Sequence, residues 1–191
     1  MEIPDTLKTY LDMLLEYNEK VNLISRKITS EKLDQLLSET HLLNLYISND
    51  IIIDAGSGNG ILGIPIALID KNRSVILVEP KRKKALFLME VKKRMELSNV
   101  DVRDVSIEEC LKKTKNWNGK SKTLIARGFP RLHALCGFVQ KGMINEAVLI
   151  TSENKIKKNQ YNLESVTKKT YNVPLRKNLR ILKILRRSNN K

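Results

Sequence analysis

Cysteine is scarce in this chain, and the sequence contains no long apolar segment. The two cysteines, Cys110 and Cys136, lie far apart and form no CxxC pair. A disulfide framework or a cysteine-ligated metal site is therefore not indicated, and we expect reduced thiols that pack as small core residues. No segment approaches the roughly 18 apolar residues of a membrane span, and the opening MEIPDTLKTY lacks the apolar region of a secretion signal. These features predict a cytoplasmic protein without membrane segments or a metal.

Acidic residues are almost absent from the last part of the chain. Residues 155–191 hold twelve basic residues and one acid, Glu164, whereas residues 1–50 hold five basic and nine acidic residues. The whole chain has a formal net charge of +14. This distribution favours an extended polyanion such as a nucleic acid as the partner, although a lysine-rich face can also serve solubility alone.

Hydrophobic periodicity predicts two helices before the first strand. The leucine spacing predicts one helix over residues 6–18, capped by Asp5 or Thr6, and a second that begins near Ser30. Because both helices precede the first predicted strand, we expect residues 1–48 to form a small helical cap. The remaining residues, 49–191, form the second predicted domain.

After residue 50 the pattern alternates between short apolar strands and amphipathic helices. Strands are predicted at 51–55, 74–78, 100–103, 123–126 and 147–151, and helices at 61–69, 83–97 and 131–140. This order implies a parallel sheet with right-handed crossovers. Residues 164–171 and 179–186 have no helix between them and predict an antiparallel pair at the sheet edge. We therefore predict a Rossmann-like, doubly wound α/β domain behind the helical cap.

Four glycines follow the first predicted strand within eight residues, in the segment IIIDAGSGNGILGIP. In a doubly wound sheet, ligands bind beyond the carboxyl ends of the strands, where glycine lets the backbone approach them closely. An acid at the end of the next strand can bind both ribose hydroxyls of an adenosine ligand. The predicted cofactor site therefore consists of Asp54, Gly56, Gly58, Gly60 and Glu79.

Two adenosine cofactors fit this loop. Residues 58–63, GNGILG, match the GxGxxG pattern of NAD-binding proteins, which is a weak signal by itself. Asp54, two residues before the first glycine, is typical of loops that bind S-adenosylmethionine (SAM). The chain is also short for a dehydrogenase with a separate substrate domain. We predict a class I SAM-dependent methyltransferase and retain an NAD-binding oxidoreductase as the alternative.

Motifs for two common methylation targets are missing from the sequence. The five prolines include no Pro-Pro, which the motif for exocyclic amines requires, and neither cysteine follows the proline or threonine that is usual for attack on pyrimidine C5. The segment IARGFP at 125–130 offers no obvious general base. A ring nitrogen with a free lone pair, such as guanine N7, suits this site because it needs positioning rather than deprotonation. Arg127 could bind the target base or a phosphate, and Phe129 could stack on a flipped base or simply pack.

Four stretches together resemble one known family. They are YNEKVNLIS at 17–25, DAGSGNGILGIP at 54–65, KKALFL at 83–88 and IARGF at 125–129. They resemble the W-N-x-x-x-N-L-T, glycine-loop, K-x-x-F-L and S-R-A-F stretches of the bacterial small-subunit ribosomal RNA methyltransferase G family, also called glucose-inhibited division protein B. The sequence departs from that family at Tyr17, at Leu62 and at 150–153, where ITSE lacks the family's lysine.

The resemblance implies methylation of guanosine N7 in small-subunit (16S) ribosomal RNA, with the rRNA or the subunit as partner and SAM as cofactor. By position, it implies SAM contacts at Gly56, Ile61, Ile107, Glu108 and Arg127. It also makes Asn22 and His41 of the cap candidate catalytic residues beside Arg127, although a histidine beside an apolar helix face is more often structural. A non-catalytic RNA or ribosome-assembly protein is the remaining alternative, against which the intact glycine loop counts.

Overall fold

The computed structural model describes residues 4–113, 121–129, 132–151, 163–173 and 176–186. The helices are α1 (Asp5–Asn18), α2 (Ser30–Asn44), α3 (Gly63–Ile69), α4 (Arg82–Arg94), α5 (Ile107–Lys113) and α6 (Leu132–Gln140). The strands are β1 (Ile51–Ala55), β2 (Ser74–Val78), β3 (Val100–Arg103), β4 (Lys122–Arg127), β5 (Glu146–Thr151), β6 (Leu163–Val173) and β7 (Arg176–Arg186).

One mostly parallel sheet contains all of these strands, in the order β3-β2-β1-β4-β5-β7-β6. Strands β1 to β5 are parallel, and β7 is antiparallel to both β5 and β6. The predicted doubly wound sheet and its antiparallel edge are thus confirmed. The central strands are β-branched and buried on both faces, which is why they appear in the sequence as nearly continuous apolar runs.

The helices cover the two faces of the sheet with separate apolar clusters. In β1, Ile52 belongs to one cluster and Ile53 to the other, as the alternation of side chains along a strand requires. Helices α1 to α4 pack on the first face, and α5 and α6 pack on the second. Both cysteines are buried in the second cluster, so the prediction that they are core residues is confirmed.

The helical cap shares the core of the larger domain. Tyr10 of α1 and Leu43 of α2 are fully buried in the same cluster as Ile52. The rings of Tyr17 and Phe87 also meet, with centroids 5.2 Å apart, and join α1 to α4. The division of the chain into domains at residue 48 remains a prediction.

Three details of the predicted elements were wrong. Helix α4 ends at Arg94 rather than at residue 97. Pro4, rather than Asp5 or Thr6, precedes α1, and no side chain caps that helix. Helix α5 was not predicted, because its seven residues are too few to establish a 3.6-residue period. No helix among the described residues is long and apolar enough to cross a membrane.

A buried ion pair joins elements at the amino ends of the strands. Glu146, at the start of β5, is buried, and its Oε2 lies 3.0 Å from Nζ of Lys183 on β7. Its Oε1 accepts hydrogen bonds from the Thr123 hydroxyl and from the Ser48 backbone N–H at 2.8 Å. This pair holds the α2–β1 connection against the antiparallel edge of the sheet.

Candidate active site

A cavity of about 510 Å³ opens at the carboxyl ends of the parallel strands, between the glycine loop and the cap. The α1–α2 connection and α2 form one wall, and the loop after β1 forms the other. Lys84 of α4 and Arg127 of β4 complete the lining. The described lining residues are Leu23, Ile24, Ser25, Lys27, Ile28, Lys32, Leu36, Asp54, Gly56, Ser57, Gly58, Asn59, Ile61, Leu62, Lys84 and Arg127.

Backbone hydrogen bonds fix the glycine loop to the end of the neighbouring strand. The N–H groups of Gly56 and Ser57 both donate to the carbonyl oxygen of Val78, at 2.9 and 3.1 Å. The Gly60 N–H donates to the Ser57 carbonyl at 2.8 Å, which closes the turn. The loop therefore has a defined shape that its own sequence and β2 dictate.

At Gly60, both the backbone conformation and the surrounding packing disfavour a side chain. Its φ is +83°, in the left-handed region that L residues avoid. A Cβ atom there would lie 2.8 Å from Cγ1 of Ile64 and 2.8 Å from Cδ2 of Leu88. The glycine thus permits both the turn and the close packing of α3 and α4 beneath it.

The cap holds the outer part of the loop. The Tyr10 hydroxyl donates to the carbonyl oxygen of Asn59 at 2.8 Å, and the Thr40 hydroxyl donates to that of Ile61 at 2.9 Å. Burial, and then the nearby charge of Asp54, raise the pKa of Tyr10 well above its usual value. Since the hydroxyl stays protonated, it remains a hydrogen-bond donor to the loop.

Asp54 is the predicted acid of the loop, and it lines the cavity although it is only 1% exposed. Its Oδ2 accepts a hydrogen bond from the Gly63 N–H at 3.1 Å, at the start of α3. Burial raises the pKa of Asp54 to about 7; hydrogen bonds from Gly63 and Ser57 oppose this shift, and the charge of Glu79 adds to it. Asp54 therefore loses its proton less readily than an ordinary aspartate.

Glu79 lies directly behind the loop, at the end of β2. Its Oε2 accepts from the Gly58 N–H and its Oε1 from the Lys81 N–H, both at 2.8 Å. A carboxylate oxygen can accept a second hydrogen bond, so these contacts leave acceptor capacity for a ligand hydroxyl. Glu79 and the predicted loop residues are thus brought together, as the sequence pattern indicated.

Arg127 reaches the cavity from the carboxyl end of β4, with 33% of its side chain exposed. Its Nε donates to Oε2 of Glu39 at 2.9 Å. Glu39 belongs to α2 and is fully buried, and its Oε1 accepts from Nε2 of Gln35 at 2.5 Å. The Gln35 Oε1 in turn accepts from Nζ of Lys32 at 2.7 Å, and Lys32 also lines the cavity.

Sequence reasoning missed Lys32, Gln35 and Glu39, although α2 contained one signal. Glu39 lies three residues after Leu36 and four before Leu43, on the face of α2 that the helical period assigns to the core. An acid at a core-facing position needs a partner. The sequence does not indicate that the partner would be a residue 88 positions away.

Phe129 is half-buried and packs against the second apolar cluster. Its Cδ2 would lie 3.9 Å from a Cβ placed on Gly56, so the ring stands beside the glycine loop. Packing thus accounts for part of its surface. Stacking on a flipped base remains a prediction.

The remaining predicted residues differ in where they lie. Ile61 is buried and lines the cavity. Asn22 and His41 are exposed and are not among its lining residues. Ile107 is buried in the second cluster and Glu108 lies in the first turn of α5, and neither lines the cavity. The proposed roles of these four residues remain predictions.

A neighbouring asparagine has a clear role that the sequence pattern did not reveal. Asn18 is buried at the end of α1, and its Oδ1 accepts from the N–H groups of Leu23 and Ile24 at 2.8 and 2.9 Å. It therefore shapes the α1–α2 connection that forms one wall of the cavity. The departures of the sequence at 152–153, and Lys155, which could replace the missing lysine, lie outside the described residues.

Comparisons with known proteins agree with this architecture. A family model described as rRNA small subunit methyltransferase G matches residues 4–181. Ribosomal RNA small subunit methyltransferase G of Brachyspira hyodysenteriae is 28% identical over 91% of this chain and 83% of its own length. The protein of the same name from Nitrosomonas eutropha is 37% identical over 66% of this chain, but the match spans only 56% of that protein.

Solved structures show the same fold at low sequence identity. An O-methyltransferase from Bacillus cereus in complex with SAH has a TM-score of 0.66 at 13% identity, over 93% of this chain and 91% of that one. Precorrin-6y C5,15-methyltransferase from Geobacter metallireducens has a TM-score of 0.60 at 15% identity, over 86% of this chain and 92% of that one. These neighbours confirm the class I methyltransferase fold.

Proposed function

Because this chain belongs to the rRNA small subunit methyltransferase G family, we propose that it transfers the methyl group of SAM to N7 of a guanosine in 16S rRNA. Family membership makes the chain an enzyme rather than a non-catalytic binder, and it favours SAM over the NAD alternative. The observation that supports the proposal most is the cavity, which brings the glycine loop and Arg127 together under the helical cap.

The residues of the glycine loop fit SAM. Glu79 offers acceptor oxygens next to the Gly58 N–H, as the ribose hydroxyls of an adenosine ligand require. Gly56 lines the cavity, and among the described residues a Cβ on it would meet only Phe129 within 4 Å. Bound SAM supplies a methyl group on a positively charged sulfur. We also propose that Ile107 and Glu108 contact the adenine of SAM, because the resemblance to the family implies these contacts.

The cavity favours a nucleophile that needs no deprotonation. Its described lining residues include no cysteine and no histidine, and its one acid, Asp54, is engaged by the Gly63 N–H. The N7 atom of guanine has a free lone pair, so the protein has only to hold it in line with the methyl group. In this proposal, Arg127 holds either the base or the methyl donor.

The charge of the lining residues suits an RNA substrate. Four described lining residues are cationic, namely Lys27, Lys32, Lys84 and Arg127, against the single acid Asp54. Cations at such a rim neutralise phosphates and position the strand without reading its sequence. They come from the cap, from α4 and from β4, so an RNA strand at the cavity would be held from several sides.

Methyl transfer from tritiated SAM tests the proposal directly. The substrates are naked 16S rRNA and small subunits from a strain that lacks this enzyme, and the labelled RNA is digested to nucleosides. We expect the label in 7-methylguanosine. Label in another nucleoside would overturn the N7 assignment but keep the methyltransferase, and no label in either substrate would overturn the RNA target.

The role of Arg127 is best tested with Arg127→Lys. Alanine would remove the guanidinium that pairs with the buried Glu39 and cost about 3–5 kcal/mol in stability, so a loss of folding could not be separated from a loss of catalysis. Lysine keeps the charge but not the planar guanidinium, so we expect kcat/KM to fall at least about tenfold. Arg73→Lys is the matched control, because Arg73 pairs with Asp70 at the amino end of β2, away from the cavity. Turnover as fast as in the unmodified enzyme would remove Arg127 from the site.

A further inference from the structure

Glu39 is a costly residue at its position on α2. The carboxylate is fully buried, and an ion taken out of water is stabilising only when its partners are well placed. An apolar side chain of similar size would continue the stripe of Leu36 and Leu43 without that cost. The packing of the cap therefore does not explain why an acid stands here.

The partners of Glu39 point instead to the cavity. Its Oε2 accepts from Nε of Arg127 at 2.9 Å, and both ends of this contact are fixed, one on α2 and one at the end of β4. The bond uses the Nε–H, one of the five N–H donors of a guanidinium. Arg127 is one-third exposed, so without this anchor its long side chain would sample many rotamers in the open cavity.

A second contact extends the same arrangement along α2 to another cation of the cavity lining. Since Nε2 of Gln35 donates to Glu39, the Gln35 Oε1 is free to accept from Nζ of Lys32. Lys32, Gln35 and Glu39 follow one another at helical spacings of three and four residues, so they lie on one face of α2. The orientation of two cavity-lining cations, Lys32 and Arg127, thus depends on one buried carboxylate.

We propose that Glu39 is a positioning residue for methyl transfer, which acts by holding the Arg127 guanidinium at the cavity edge before a ligand binds. Ordering the side chain in advance lowers the entropy that binding would otherwise cost. This inference rests on the proposed function, because it takes SAM as the ligand that Arg127 meets.

Glu39→Gln isolates the charge, since it keeps the shape of the side chain and one acceptor oxygen. The variant is expected to fold, because the Arg127 side chain that loses its ion pair is partly exposed and can be hydrated. Glu146→Gln is the matched control: Glu146 is also a buried acid paired with a cation, but it lies at the amino ends of the strands. The dissociation constant of SAM is measured by calorimetry for the unmodified protein, both variants, Arg127→Lys, and Glu39→Gln combined with Arg127→Lys.

We expect Glu39→Gln to weaken SAM binding about tenfold and Glu146→Gln to leave it within about twofold. If Glu39 acts through the guanidinium, adding Glu39→Gln to Arg127→Lys should weaken binding by less than about twofold more. Melting temperatures separate this role from a structural one. Both Glu39→Gln and Glu146→Gln should lower Tm, but only Glu39→Gln should weaken SAM binding.

Three results would overturn the inference. Unchanged SAM affinity in Glu39→Gln would leave Glu39 with only a structural role. If Glu39→Gln weakened SAM binding equally in the unmodified protein and in the Arg127→Lys variant, Glu39 would not act through Arg127. Failure of the unmodified protein to bind SAM would overturn the proposed function and this inference together. The RNA substrate does not enter these measurements, so a wrong RNA target would leave the inference standing.

Discussion

Replacing Asp54 with asparagine tests whether the glycine loop holds a carboxyl group out of water at a cost in stability. Asparagine has nearly the same shape, and its Oδ1 can accept the hydrogen bond from the Gly63 N–H. The variant differs from the unmodified protein mainly in that this position can never carry a charge. Its effect should therefore depend on pH.

The direction of the pKa shift of Asp54 determines whether its contribution to stability rises or falls with pH. The pKa of Asp54 is about 7 in the folded protein against an ordinary value of 3.8, so between these values the folded state keeps a proton that the unfolded chain has lost. The contribution of Asp54 to stability is complete below about pH 4 and is lost as the pH rises towards about 7. At about 1.4 kcal/mol per pH unit, the loss between pH 5 and pH 8 amounts to about 2–3 kcal/mol.

Urea unfolding at pH 5, 6, 7 and 8 measures this effect. We expect the free energy of unfolding of Asp54→Asn, minus that of the unmodified protein, to rise by about 2–3 kcal/mol from pH 5 to pH 8. Asp34→Asn removes an exposed carboxylate from α2 and serves as the control, for which the difference should stay constant. Parallel pH curves for Asp54→Asn would refute the conclusion that burial weakens this acid.

Three further predictions concern the loop, α6 and the thiols. Gly60→Ala should cost about 2–5 kcal/mol, because the strain of a left-handed alanine adds to overpacking. Gly128→Ala, with φ +60° and no described atom within 4 Å of the new Cβ, should cost only about 1–2 kcal/mol; equal losses in urea unfolding would refute the packing contribution. Gly137→Ala should raise the free energy of unfolding by about 0.5–1 kcal/mol, because a Cβ on that helical residue meets no atom of the described part of the chain within 4 Å; a lower urea midpoint would contradict this. Burial raises the pKa of the Cys136 thiol to about 11, so Cys136 should react with a disulfide reagent at least about 100-fold more slowly in the folded protein than in denaturant. Burial also raises the pKa of Cys110, which should be slowed as well; rapid reaction of either thiol without denaturant would show that it is accessible.

The fold could be predicted because the strands carry their own signals. Strands buried on both faces must be apolar throughout, so β1 and β2 stand out as Ile51–Ala55 and Ser74–Val78. The absence of a helix between residues 171 and 179 likewise indicated the antiparallel edge. Helix α5 was missed because one stripe of seven residues, with Ile107, Cys110 and Leu111 buried, does not distinguish a helix from a loop.

The cofactor loop could be predicted for a different reason. A backbone that must approach a ligand needs glycine at particular positions, with one acid two residues before the first glycine and another at the end of the next strand. These positions are close together in the sequence, so the pattern can be recognised there. The roles of Asn18 and Asn22 show the limit of such local patterns. Both belong to one short motif, but only the packing of α1 against the connection reveals that Asn18 is buried and that Asn22 is exposed.

Glu39 shows why the rest of the site could not be predicted from the sequence. Its neighbours along the chain indicate only that it faces the core, and an acid on a core-facing position signals a missing partner without naming it. The partner, Arg127, lies 88 residues away, and the parallel order of β1 and β4 brings it beside α2. In this protein, the buried acid on the apolar face of α2 holds a cation from a distant part of the sequence in place. When that cation lines a cavity, as Arg127 does, the acid becomes a candidate for a role in binding even though it never reaches the cavity itself.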